Sequence, residues 1–170
     1  MNNNLPSSEV VIRPAALADI PFIKDIANKT WPVAYGNILQ HEQLQYMLDK
    51  FYSYSSLEQQ IKNGHYFFLV LKNYAPIGFT SFSHIEGSLY KLQKLYVLPE
   101  IQKSGVGQAL LQTVETVAKS MGGDRLELNV NRKNNALNFY ERNGFSVIRE
   151  EDIDIGSGFY MNDYVMQKML

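Results

Sequence analysis

Residues Leu92 to Met121 confine this chain more tightly than any other stretch. LQKLYVLPEIQKSGVGQALLQTVETVAKSM reads as a strand, a sharp turn and a long helix. The strand, Leu92–Leu98, alternates a Leu95/Val97 face with a Lys94/Tyr96/Leu98 face and stops at Pro99, which has no N–H to give a sheet ladder. The helix carries Val106, Leu110, Val114 and Val117 at helical spacing, widened by Ala109, Thr113 and Ala118, and ends at Gly122-Gly123. Between them lies Gln102-Lys103-Ser104-Gly105-Val106-Gly107. Two glycines at a helix start let backbone approach a ligand, and the unpaired N–H groups there suit an anion, phosphate above all.

A Gly-x-Gly has several owners, and its neighbours choose among them. A dinucleotide site wants a third Gly or Ala where Leu110 stands; its acidic partner could only be Glu127, roughly 20 residues on. A P-loop needs Gly-Lys-Ser/Thr, which is missing. A glycine-rich helix start with no ligand is the remaining plain reading. Composition narrows the field further. The 170 residues are 45% apolar, enough for one domain with a sizeable core. A net charge of −1 gives no footprint for nucleic acid or an anionic membrane. The absence of cysteine excludes disulfides, thiolate metal sites and a cysteinyl acyl-enzyme. The three histidines lack metal-site spacing, so no metal is expected. The longest apolar run, Tyr66–Leu71, is too short to span a bilayer, and Met1–Ser8 lacks the basic start of a signal peptide. A cytoplasmic location is therefore the expectation.

Leu95-Tyr96-Val97-Leu98-Pro99 followed by Gln102-x-x-Gly105-x-Gly107 resembles the pyrophosphate loop of the GNAT superfamily of N-acetyltransferases. A second block of that family stands roughly thirty residues on, Asn134-Asn135-Ala136-Leu137-Asn138-Phe139-Tyr140-Glu141-Arg142-Asn143-Gly144-Phe145. The resemblance runs from about Val10 to the C-terminus. It implies one acetyltransferase domain over residues 1–170, with 1–8 as a disordered tail. The element order read from the residues is β-α-α-β-β-β-α-β-α-β-β, an α/β (α+β) domain. The resemblance makes it a mixed, mostly antiparallel sheet of about seven strands flanked by helices, with the strands of Leu95 and Leu128 splayed around the cofactor's pantetheine arm. In the N-terminal half Asp19 caps a first helix that ends around Thr30–Pro32, with Trp31 pushed out of helical geometry by the proline. A strand is expected at Phe145–Arg149.

Acetyl transfer to an amine needs a held thioester, an oxyanion donor, a base for the amine and an acid for the thiolate. By resemblance, acetyl-CoA is the donor, bound by Leu95, Tyr96, Val97, Gln102, Lys103, Ser104, Gly105, Val106, Gly107, Gln108 and Asn134. The oxyanion donor is a backbone N–H near Tyr96 or Val97. Lys103 alone reads equally as a solvated lysine, and Asn134 as a helix cap, with Asn135 able to replace it. Tyr140 returns a proton to the cofactor sulfur; otherwise it is a core aromatic beside Phe139 and Phe145. Trp31 and Tyr35 either hold the substrate amine by cation–π contact or simply pack. The base is open among His84, Glu86, Glu127 and a water chain. The implied reaction is direct attack by a primary amine, small-molecule or peptide, in a ternary complex. A catalytically silent acyl-CoA-binding regulatory domain is the alternative, and a plain interaction domain a third. No nucleic-acid or membrane partner is implied, and a homodimer is compatible with the resemblance.

Overall fold

The structure, a computed structural model, describes residues 9–170. The expected tail at 1–8 lies outside the described residues. Strand β1 (Val10–Pro14) leads through a short turn into α1 (Ile20–Tyr35), α2 (His41–Tyr52) and α3 (Tyr54–Lys62). A meander of β2 (Tyr66–Lys72), β3 (Ala75–Glu86) and β4 (Leu89–Val97) follows, then α4 (Val106–Ser120) and β5 (Arg125–Asn131). Helix α5 (Ala136–Arg142) and the hairpin β6 (Ser146–Gly156) and β7 (Phe159–Met169) close the chain. The strands form one seven-stranded sheet in the order β1-β2-β3-β4-β5-β7-β6. Every neighbouring pair is antiparallel except β4 with β5. This is the expected mixed, mostly antiparallel sheet, with α1, α2 and α3 between β1 and β2.

Three departures from the sequence reading have local causes. Helix α1 runs through Pro32 to Tyr35 instead of stopping there. Pro32 forfeits the bond to the Asn28 carbonyl, yet Trp31 and Tyr35 gain burial one turn apart, with ring centroids 4.6 Å from each other. Asp19 stands at the N-cap position of α1, but its side chain makes no cap bond to that helix. It takes two bonds of 2.8 Å from Arg13 and one of 2.8 Å from the Ala16 N–H. Strand β6 continues beyond Arg149 to Gly156. As the sheet's edge it leaves its acidic residues to solvent and turns Ile155 inward.

The register of β4 decides where the site lies. Leu92 pairs with Phe82 and Lys94 with Ser81, so Gln93 is an extra residue, a β-bulge. The bulge inverts which side chains face α4. Before it, Tyr90 reaches the end of α4, its hydroxyl on the Met121 carbonyl at 3.2 Å. After it, Leu95 and Val97 face Gly107 at the start of α4, while Lys94 and Tyr96 turn toward the aromatic rings of α1 and α2. Pairing with β5 stops at the same point, the last match being Leu92 with Leu128. One apolar cluster joins α1–α3 to β2–β4 and reaches Val106 and Leu110. A second gathers Leu111, Val114 and Ala118 against Leu126, Leu128 and Met166.

Gly78 on β3 keeps the bulged strand close. A Cβ there would stand 2.8 Å from the Tyr96 carbonyl and 3.3 Å from the Val97 Cα, both backbone atoms that cannot swing away. Gly78→Ala should cost about 1–3 kcal/mol, measured as a lower denaturant midpoint.

Candidate functional site

Beyond Leu92 and Leu128 the two central strands part and open a cleft of about 940 Å³. Gln93 to Val97 form one wall, and Asn129 and Val130 with the loop into α5 form the other. The start of α4 closes one end. There Lys103 and Gly105 both take positive φ, 63° and 86°. The first backbone bond to the turn is Ala109 N–H to the Gly105 carbonyl at 3.0 Å. The N–H groups of Val106, Gly107 and Gln108 have no carbonyl partner among the described residues, so they point partial positive charge along the helix axis. Gly107 leaves room for a ligand, since a Cβ there meets nothing nearer than 3.9 Å. The cations on the cleft walls are Lys94, Lys103, Lys133 and Arg142, and no carboxylate lines them among the described residues. An elongated ligand with phosphates at the α4 end fits this distribution.

Most of the residues picked out in the sequence converge here. Leu95, Tyr96, Val97, Gln102, Lys103, Gly105, Gly107, Gln108, Asn134, Tyr35 and Tyr140 all border the cleft. Ser104 and Val106 do not: the Ser104 hydroxyl turns to the Ile101 carbonyl, and the Val106 side chain enters the core. Trp31 does not border it either. It is 4% exposed and packed on Tyr35, Tyr52 and Tyr96, which leaves its ring no open face for a substrate ammonium. Asn134 carries the cap bond, its Oδ1 accepting from the Ala136 N–H at 2.9 Å; Asn135 makes none with its side chain.

Phenols crowd the inner end. Tyr35 and Tyr96 share a hydrogen bond of 3.1 Å from opposite sides of the chain fold. Burial raises both above the ordinary phenol range, Tyr96 the more strongly. Tyr140 is also raised by burial, with Tyr35 adding to the effect, so it holds its proton throughout the neutral range. Its ring packs edge-on against Phe139 and Phe145, and its hydroxyl has no partner among the described residues, which leaves it free toward the cleft.

The three side chains considered as a base lie elsewhere. His84 and Glu86 are exposed at the far hairpin, His84 bonded to the Gly87 carbonyl at 2.8 Å. Glu127 faces away into an ion pair with Arg149 at 2.8 Å. From the wall given by the second half of α1 (Thr30, Val33, Ala34) with Asn37 and Ile38 beyond it, sequence reasoning named only Tyr35, because the helix was ended too early. It also missed Lys94 as more than a strand residue. Its ammonium stands over the Tyr52 ring, 5.2 Å from the centroid, with no carboxylate in pairing range among the described residues. Burial lowers its pKa to about 8. A lysine at the centre of an apolar strand was the available signal.

A family model described as an acetyltransferase (GNAT) domain matches residues 37–166. A spermidine N(1)-acetyltransferase from Thermoplasma acidophilum is 30% identical over 158 residues, 89% of this chain and 95% of that one. An uncharacterised N-acetyltransferase from Mycobacterium bovis is 26% identical over 91% of this chain and 99% of its own. Among solved structures, the PaiA N-acetyltransferase of Thermoplasma acidophilum in complex with coenzyme A superposes with a TM-score of 0.81 at 26% identity, covering 95% of this chain and 99% of that one. A GCN5-related N-acetyltransferase from Rhodopseudomonas palustris superposes with a TM-score of 0.82 at 19% identity, covering 99% of this chain and all of that one; this is a likeness of fold.

Lys94 makes a measurable prediction about stability. Its folded pKa lies near 8, below about 10.4 for an unfolded lysine. Between those values the unfolded chain binds more protons, so stability rises with pH and the burial penalty is full at pH 7. Lys94→Met should raise the Tm at pH 7 by a few degrees, and scans at higher pH should show the gain shrinking toward pH 10.

Proposed function

The chain belongs to the GNAT acetyltransferase family, and from that premise we propose that it transfers an acetyl group from acetyl-CoA to a primary amine by direct attack in a ternary complex. The observation that carries this reading is the parting of β4 from β5 beside a helix start rich in free N–H groups. Acetyl-CoA supplies an activated acyl group on sulfur and, when bound, presents phosphates and amides to the chain. The N–H groups of residues 106–108, with Lys103 close by, suit the phosphates. The freed backbone of Gln93–Val97 suits the amides of an extended arm, and an N–H near Tyr96 or Val97 suits developing oxyanion charge. Tyr140, protonated and unpartnered, is placed to return a proton to sulfur. The domain reading, one catalytic unit along the chain, rests on the single continuous sheet.

Tyr35 borders the acceptor side of the cleft and Trp31 supports it from behind, so Tyr35 is the ring offered to the amine. The thermophile relative is named for spermidine, which makes polyamines the first acceptors to try beside amino-acid and peptide amines. No helix of the described residues is long and apolar enough to cross a membrane.

Two variants test the reading. Wild-type protein should release CoA thiol from acetyl-CoA with at least one amine of a panel. Gly107→Val, whose added methyls would enter the space beside Leu95, Val97 and Phe139, should remain folded yet lose at least about tenfold in CoA affinity by calorimetry. Undiminished affinity would place the phosphates elsewhere. Tyr140→Phe should bind CoA normally and lose kcat by about 10²-fold, the low end of general-acid effects because a thiolate is a good leaving group. Wild-type kcat in that variant would return Tyr140 to a packing role.

A further inference from the structure

No carboxylate borders the cleft among the described residues, so the acceptor's proton needs a destination behind its wall. Asp163, in the middle of β7, is 2% exposed and forms no ion pair among the described residues. Its Oδ2 accepts from Asn129 Nδ2 at 3.3 Å. Asn129 borders the cleft as the first residue of β5 past the last match with β4. The other oxygen, Oδ1, has no hydrogen-bond partner, and it is not among the atoms sealed from solvent. The negative charge of Asp163 also bears on the Tyr35 phenol, which borders the cleft. A buried carboxylate held by one long bond is costly to the fold. Such a cost is a common mark of a working group.

Resting on the acetyl-transfer reading, we propose that Asp163 is the general base, taking a proton from the acceptor's ammonium across one water beside Asn129. Asp163 gains that proton, the nitrogen lone pair so released forms the bond to the acetyl carbon, and the carbon–sulfur bond breaks as Tyr140 gives its proton to sulfur. The second proton leaving nitrogen restores Tyr140 through solvent, and Asp163 discharges its own to water. The acceptor class that follows is an aliphatic amine, protonated at neutral pH, since an aromatic amine needs no such base. The groups facing Asp163 are Glu151 on β6, Asn129 on β5, Lys91 on β4, Arg132 after β5 and Tyr35 on α1. Burial is the largest influence and raises the carboxyl; Glu151 adds to it, while Asn129, Lys91 and Arg132 oppose. The net direction is toward the pH at which a base works well.

The test is the pH profile of kcat/KM for wild type and Asp163→Asn with an aliphatic diamine. A base that accepts the proton from bound ammonium gives a plateau from the carboxyl's pKa up to the amine's, about 10.4 for a simple alkylamine. Without it only free amine reacts, so Asp163→Asn should fall by roughly 10²–10⁴-fold at pH 7 and climb about tenfold per pH unit toward the amine's pKa. CoA affinity should be unchanged. The Tm at pH 7 should equal or exceed wild type, because a carboxyl with a raised folded pKa penalises the folded state at every pH above that pKa. A plateau kept by Asp163→Asn overturns the proposal. If that variant fails to fold, a wild-type profile that climbs throughout with no plateau overturns it. Wild-type protein that binds CoA but releases none with any amine overturns the acetyl-transfer reading itself.

Discussion

A backbone that gives up half its hydrogen bonds must offer them to something else, and β4 does so over five residues. On one side it stays paired with β3 to Val97; on the other its ladder to β5 ends at Leu92. Buried N–H and C=O groups are seldom left without partners, so this strand edge suits a ligand that runs along it like another strand. The extra residue Gln93 turns the strand at that point, its side chain bonding Ser83 at 3.1 Å. The helix start lies at the end of the same opening. One bulge therefore fixes the direction of the strand, the parting of the sheet and the approach to the anion site.

Around that opening the polar groups are sorted by charge. Cations stand on the cleft walls, while carboxylates lie behind β5, where Arg149 bridges Glu127 at 2.8 Å and Glu151 at 2.7 Å. Between them sit neutral phenols and carboxamides. The aromatic stack of Trp31, Tyr52 and Phe79 behind Tyr96 makes that middle zone stiff and dry. Polar interactions gain strength in such surroundings.

What could be read in the sequence was whatever a residue type enforces by itself. Pro99, Gly105 and Gly107 can do few other things, and the strand–turn–helix they mark stands where it was expected. Apolar periodicity located α4 and the meander for the same reason. The bulge at Gln93 leaves no such trace, because glutamine tolerates any extended geometry; the parting of the sheet was known only by resemblance. Pro32 misled, since its local preference was outweighed by the burial of Trp31 and Tyr35. The expected strand stopped short at Arg149 because its acidic continuation shows little apolar pattern, and an edge strand needs only one buried face. Asp163 was passed over although Met161 and Val165 flank it at strand spacing on one side of the sheet, a pattern that marks an enclosed carboxylate.

The short ladder between Leu89–Leu92 and Arg125–Leu128 has a consequence for how the molecule comes apart. It is the seam between a unit of β1–β4 with three helices and a unit of β5–β7 with α5, bridged by α4 and, at the hairpin tip, by α2, whose Tyr46 hydroxyl bonds the Ile155 carbonyl at 2.7 Å. Cooperative opening follows the line of fewest shared bonds, so amide exchange should be fastest at this seam and slower within each half. A ligand lying in the seam stitches the halves together and withdraws that route of opening. The cleft proposed for the cofactor then also governs resistance to proteolysis and the lifetime of the folded chain.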